Sequence, residues 1–204
     1  MSARAHPGAI VRPVRLSSIG YADIPGGGQV VVDGDLAFVG HIDPPHGTSI
    51  LDVSDPRKPR LVAHLEVPLH THSHKVRAKN GLMLVNHEGH PFGTIPAGFE
   101  GGLRVYDVTR PWAPRAIAFY RTAGTGAHRF DFDGRYVYLS AELEGYVGNI
   151  TLVLDLQDPG RPREVSRWWL PGQWVAGGEA PVWAGRAHRT HHPLRFDHKL
   201  YVSC

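Results

Sequence analysis

The sequence predicts an all-β protein, a β-propeller of four-stranded blades, and a repeated hairpin signal is the first reason. The signal is a two-residue turn between a short apolar strand and a second strand of the Leu-Ala-Phe-Val or Tyr-Val-Tyr-Leu type. Asp-Gly and Asn-Gly favour such turns because their residues adopt positive φ readily. The copies recur every 47 to 64 residues, a period typical of propeller blades. They are Asp33-Gly34, Asn80-Gly81, Asp133-Gly134 and Asp197-His198.

A second signal ends the third strand of each unit. An apolar run reaches Asp52, Asp107 or Asp155 and enters a proline turn four residues later. A Pro-Arg pair and another apolar stretch follow each turn. Because proline cannot donate to a sheet ladder, these positions are predicted to be turns or strand starts.

The two signals together divide the chain into units. We expect one partial propeller domain over residues 1–204, with blades at 28–67, 73–121 and 127–170 and a half-blade at 190–204. Residues 9–16 resemble an orphan closing strand. Three and a half blades do not close a ring. The sequence therefore favours a C-terminally truncated form of a longer protein, or self-association through the open sheet edges.

The turn after the third strand resembles that of a known family. Residues 48–59 read Thr-Ser-Ile-Leu-Asp-Val-Ser-Asp-Pro-Arg-Lys-Pro, and this segment is similar to the repeat of LVIVD-repeat β-propellers. The other two units carry Thr-Arg-Pro and Gln-Asp-Pro variants. The resemblance covers about residues 28–204 and implies a bacterial propeller. It implies little about chemistry, because that family is mostly uncharacterised and a fold does not fix a function.

Composition narrows the function classes. The net charge is +3 with scattered arginines, so nucleic-acid binding is not expected. The single cysteine excludes an internal disulfide framework and indicates a reducing, cytoplasmic location. No stretch has the length and hydrophobicity of a membrane span, and no signal peptide is evident. The glycines at 124–126 and 177–178 precede no predicted helix, so no nucleotide cofactor is expected.

Histidine is the compositional anomaly, with 14 residues. The innermost strands of a propeller line its central channel, and His128 and His192 each lie five residues before their turn. His74 lies six before its own turn, so a one-residue bulge would bring it into register. We therefore expect His74, His128 and His192 to hold a divalent transition metal, Zn, Fe, Mn or Cu, which imidazole suits. The alternative for each histidine is a structural or surface role.

Further candidates flank these three. His72 shares a strand face with His74, and His87 and Glu88 follow the second strand of their unit, so all three are possible additional ligands. Weak catalytic candidates are His191, Glu142 and Glu144. His41 follows the second strand of the first unit and is a possible loop ligand. Four further histidines look like surface or turn residues, namely His6, His46, His64 and His198.

Two functions follow from these patterns. The first is a metal-dependent enzyme that acts on a small organic molecule in a histidine-lined channel. The alternative is a non-catalytic propeller scaffold whose loops bind a protein or ligand.

Overall fold

The computed structural model describes residues 15–90, 94–183 and 189–204. Within these ranges the chain is all-β, as predicted, and one short 3-10 turn at Val175–Gly177 is the helical element described. No helix among these residues is long and apolar enough to cross a membrane. Residues 9–14 of the expected orphan strand lie outside the described ranges, and residues 15 and 16 are not in a strand.

Fifteen strands form four antiparallel sheets. Sheet 1 contains β1 (Gly27–Asp33), β2 (Leu36–His41), β3 (His46–Asp52) and β4 (Arg60–Glu66). Sheet 2 contains β5 (Thr71–His72), β6 (Val76–Lys79), β7 (Leu82–Gly89), β8 (Gly102–Asp107) and β9 (Arg115–Arg121). Sheet 3 contains β10 (Ala127–Phe132), β11 (Tyr136–Glu142), β12 (Asn149–Asp155) and β13 (Arg163–Trp168). Sheet 4 contains β14 (Pro193–Phe196) and β15 (Lys199–Val202).

Strands within a sheet follow chain order, each paired with the next, except that β5 and β6 both pair with β7. The first strands of the sheets are also neighbours in space. Strand β6 contacts β1 and β10, and β10 contacts β14. Side chains of these first strands are therefore brought together from all four sheets.

Two apolar layers hold the first three sheets together, and sheet 2 contributes to both. One layer packs Phe38 and Ile50 of sheet 1 against Met83 and Val85 of sheet 2. The other packs the opposite face of sheet 2, including Leu84, against sheet 3. Because both faces of sheet 2 are buried, β7 reads as a continuous apolar run rather than as an alternating one.

The repeated aspartate closes the turn after each third strand. Oδ1 of Asp107 accepts hydrogen bonds from the Thr109 backbone at 3.0 Å and from its hydroxyl at 2.7 Å, and Arg115 reaches Oδ2 at 3.0 Å. Asp52 makes the same contacts with Ser54 and Arg60. This arrangement explains the Asp and Pro-Arg signature as a structural device that ties the turn to the next strand.

Two hairpin turns differ from the predicted frame by one residue. Asn80 and Gly81 occupy the centre of their turn with φ of 56° and 75°, as the sequence predicts. In the first turn Asp33 pairs with Leu36, so the centre is residues 34–35 instead. Asp133 likewise stands before its turn, and its Oδ1 accepts the backbone N–H of Arg135 at 2.9 Å. An Asp-Gly pair fits either frame, because aspartate can occupy the turn or cap it from the preceding position.

Sheets 1, 2 and 3 each have a bulge near the beginning of the first strand. In sheet 2, His72 pairs with Glu88 whereas Val76 pairs with Val85, so one extra residue lies between these pairs on the first strand. The same one-residue shift occurs in sheets 1 and 3, between residues 27 and 30 and between residues 127 and 129. A bulge is thus present at His74, but it recurs in sheets 1, 2 and 3 and so does not by itself bring His74 into register with His128.

Candidate functional site

A buried asparagine creates the interruption between β5 and β6. Asn86 is fully buried in β7, and its Oδ1 accepts the backbone N–H of Lys75 at 2.9 Å. Its Nδ2 donates to the carbonyl of His72 at 3.3 Å. These bonds replace part of the missing strand ladder, so residues 73–75 are held without regular pairing.

The same side chain connects sheet 2 to sheet 3. Nδ2 of Asn86 also lies 3.1 Å from the carbonyl oxygen of Ala127 and 3.4 Å from that of His128. Asn86 therefore fixes the histidine segment at 72–74 beside the bulge of β10.

One group of potential metal ligands forms at this junction. His72, His74 and Glu88 each present a donor atom, and the three atoms lie within 4.8 Å of one another. The two imidazole rings are 3.8 Å apart between centroids. His72 and Glu88 are cross-strand partners in β5 and β7, which places their side chains on the same face.

Hydrogen bonding leaves ligand atoms of this group free. The Nδ1–H of His72 donates to the Ile42 carbonyl at 3.0 Å, so its Nε2 retains a lone pair. Nδ1 of His74 and Oε2 of Glu88 are buried and have no partner among the described residues. Buried polar atoms of this kind call for an explanation, and an ion is one that fits here.

His128 extends the group from sheet 3. Its Nδ1–H donates to Oε1 of Glu88 at 2.7 Å, so its Nε2 carries the lone pair. That Nε2 is buried and has no partner in the described part of the chain. Glu88 therefore uses one carboxylate oxygen to orient His128 and leaves the other facing the histidine pair.

Burial and nearby cations keep the imidazoles neutral. Desolvation, followed by His72 and Lys75, lowers the pKa of His74 to about 2. The pKa of His72 is also lowered, chiefly by burial. Burial and then Arg129 lower the pKa of Lys75 to about 8. Neutral imidazole is the form that binds metal, so these shifts favour ligation over protonation at neutral pH.

The structure places His191, rather than His192, in register with the other two histidines. In each sheet we count five residues back from the residue that directly precedes the two central turn positions. That position is Gly28 in sheet 1, His74 in sheet 2, His128 in sheet 3 and His191 in sheet 4. The rings of His128 and His191 are 5.0 Å apart. The expected register of His192 was wrong because it rested on the displaced turn frame.

We call His74, His128 and His191 the histidine band. His192 lies next to this band but outside the group formed by His72, His74 and Glu88. Its backbone N–H donates to Ser203 at 3.1 Å, and its Nε2 is buried without a partner in the described ranges. Burial and then Arg77 lower its pKa. His188 lies outside the described residues.

The three other sequence candidates have different surroundings. His87 precedes Glu88 in β7 and therefore points to the opposite face of the sheet, 5.3 Å from the ring of Phe119. Glu142 accepts hydrogen bonds from the backbone N–H of Thr125 at 2.9 Å and from its hydroxyl at 3.1 Å, and so ties the loop before β10. Glu144 is exposed in a turn.

Sequence reasoning missed three residues of this junction. A signal for Asn86 exists, since it is a polar residue that ends the apolar run of β7. Lys75 and Arg129 flank the histidines in the first strands of their sheets. Lys75 is 6% exposed, and Nε of Arg129 is buried with no partner in the described chain. Both add positive charge beside the candidate ligands.

Comparison with solved structures finds similarity to the crystal structure of the computationally designed Ika4 protein. The TM-score is 0.56 at 9% sequence identity, over 90% of this chain and 88% of that one. At this identity the similarity concerns the fold alone. No family model and no curated protein matches the chain. Membership of the LVIVD-repeat family therefore stays a prediction.

Proposed function

We propose that the four sheets are successive blades of a β-propeller whose channel is lined by β1, β6, β10 and β14. The proposal is supported by the contacts between these first strands and by the chain-order pairing within each sheet. The recurrent bulge gives the first strands equivalent irregularities, as expected for repeated blades.

At one end of this channel we propose a divalent transition-metal centre. His72, His74 and Glu88 are its ligands, and His128 is held beside them by Glu88. The observation that carries the proposal is a pair of buried atoms, Nδ1 of His74 and Oε2 of Glu88, that have no partner within the described ranges. Two histidines and one carboxylate leave coordination positions open, and this set is typical of catalytic zinc and of non-haem iron.

The chemistry proposed is metal-dependent conversion of a small organic molecule. A bound ion would polarise a substrate oxygen or lower the pKa of a bound water. His128 is set to exchange a proton, because Glu88 fixes its tautomer and leaves Nε2 as an acceptor. His191 is the next imidazole along the band, and burial, followed by Arg129, lowers its pKa to about 4. It is neutral at pH 7 and can accept a proton.

The charges around the centre favour a substrate with an anionic group. Arg129 has a buried Nε with no partner in the part of the chain that the structure describes, and Lys75 is almost fully buried nearby. Burial lowers the pKa of both groups, and the charge of Glu88 opposes that shift in each, so its carboxylate is their nearby counter-charge. Because a bound metal would draw on that same carboxylate, Lys75 and Arg129 are left to attract a carboxylate or phosphate.

Zinc titration of chelator-treated protein tests the centre. We expect one zinc per chain by native mass spectrometry, and a melting temperature that rises with zinc because the ion binds the folded state. The variant His74→Ala should lose at least tenfold in zinc affinity, since it removes a ligand. The matched control is His64→Ala, a histidine whose ring nitrogens both have protein partners.

Two outcomes would overturn the proposal. One is a His74→Ala protein that keeps the wild-type zinc stoichiometry and affinity. The other is a folded wild-type chain that binds no zinc, iron, manganese or copper, which would favour a non-catalytic propeller scaffold instead.

A further inference from the structure

A cavity lies on the face of sheet 2 that is opposite to the histidine band. Its volume is about 300 Å³, within the range of small-molecule sites. Its walls are mainly apolar and include Leu69, Pro96, Phe99 and Phe119. Four polar side chains also line it, and they are those of Thr71, His87, Glu100 and Arg104. The cavity therefore has an apolar body and a small number of polar groups, as ligand sites usually do.

Arg104 supplies a positive charge that no acidic side chain among the described residues neutralises. It pairs across the sheet with Phe119, and its guanidinium carbon lies 4.2 Å from the ring centroid. Among the described residues it has no ion-pair partner, and Glu100, the acidic residue that lines the cavity, is bound by Arg121 at 2.7 Å. The cation–π contact with Phe119 forms no ion pair, so the guanidinium N–H groups of Arg104 remain available for a carboxylate.

His87 supplies a hydrogen-bonding group. It is 4% exposed, and its Nε2 is buried with no partner in the described chain. A buried, unpaired polar atom on a cavity wall is stabilised when a ligand supplies its missing hydrogen bond.

We propose that this cavity binds a small organic anion with a flat apolar body. Its carboxylate contacts the N–H edge of Arg104, its body lies among Phe99, Phe119 and Pro96, and a polar atom of the ligand pairs with His87. The site does not depend on the proposed metal centre, because His87 and Glu88 are adjacent in β7 and face opposite sides of the sheet.

Calorimetric titration with benzoate tests this site. We expect saturable binding with one benzoate per chain, and at least tenfold weaker binding of benzamide, which has the same shape without the charge. The variant Arg104→Gln should lose about tenfold or more in benzoate affinity. The matched control is Arg115→Gln in the same sheet, an exposed arginine that pairs with Asp107, and this variant should bind benzoate as the wild type does.

A second measurement uses the wild-type protein alone, so it remains informative if a variant fails to fold. The imidazole NMR signals of His87 should shift as benzoate saturates the site, with and without a chelator. Non-saturable binding, equal affinity in Arg104→Gln, or no shift of His87 would overturn the proposal. Loss of benzoate binding on metal removal would also overturn it, because it would place the anion at the metal centre.

Discussion

The chain contains two clusters of histidines, and they differ in how their hydrogen bonds are completed. In sheet 1, His41, His46 and His64 lie around Ser49. His46 Nδ1–H donates to Nε2 of His64 at 3.2 Å, and His64 Nδ1–H donates to the Ser49 hydroxyl at 3.0 Å. Ser49 donates to Nε2 of His41 at 2.8 Å, and His41 Nδ1–H donates to the Gly26 carbonyl at 3.2 Å. One set of neutral tautomers completes this relay.

The cluster at the junction of sheets 2 and 3 is different. His74, Glu88 and His128 each keep one buried atom without a partner in the described residues. Three histidines close together therefore do not by themselves indicate a metal. The informative difference is unmet hydrogen-bonding capacity in a buried place, since leaving it unmet costs free energy unless something else is bound.

Substitution of Asn86 should have the largest effect, because this side chain holds the cluster of His72, His74, Glu88 and His128 in place. Asn86→Ala should destabilise the protein by about 3 kcal/mol. It leaves the backbone N–H of Lys75 without its hydrogen-bond acceptor and removes hydrogen bonds to buried carbonyl groups. It should also abolish zinc-induced stabilisation. Urea denaturation with and without zinc measures both effects. A variant of near wild-type stability that still responds to zinc would contradict the positioning role of Asn86.

Acid should destabilise the metal-free protein through His74. Its pKa is about 2 in the folded state and about 6.5 when unfolded, so the unfolded chain takes up the proton first. The free energy of unfolding is therefore unaffected by the titration of His74 above pH 6.5. It decreases as the pH falls below 6.5, by up to about 2 kcal/mol at pH 5. Denaturation in the presence of a chelator should show this slope. His74→Gln should reduce it by about one proton, and an unchanged slope would contradict the assignment.

The smallest effect is expected for a substitution in the cluster of sheet 1, where the hydrogen bonds of His41, His46 and His64 are complete. Ser49→Ala should cost about 1 kcal/mol, because it removes the donor to the buried Nε2 of His41 and the acceptor for His64. Zinc affinity should stay at the wild-type value, since the relay is satisfied without an ion. Thermal unfolding and zinc titration check the two parts. A fall in zinc affinity in Ser49→Ala would mean that the two clusters are coupled.

The frame of the hairpin turns shows where sequence reasoning was limited. Asn80-Gly81 could be assigned from local preference alone. Asp33 and Asp133 could not, because aspartate also stabilises a turn from the position before its centre, as it does for the N–H of Arg135. That one-residue ambiguity was enough to place His192 where the structure has His191.

Local sequence determined the strands, their antiparallel order and the aspartate-closed turns, because these depend on preferences and hydrogen bonds that act within a few residues. It also placed His72 and His74 on one strand face. Only the tertiary structure decided that Glu88 of β7 lies beside these two histidines and that His128 of sheet 3 contacts Glu88. It also decided that His87 lies on the opposite face of sheet 2. These contacts depend on the strand register, on the bulge at residues 73–75 and on the buried hydrogen bonds of Asn86. They join residues that are 40 or 41 positions apart in the chain.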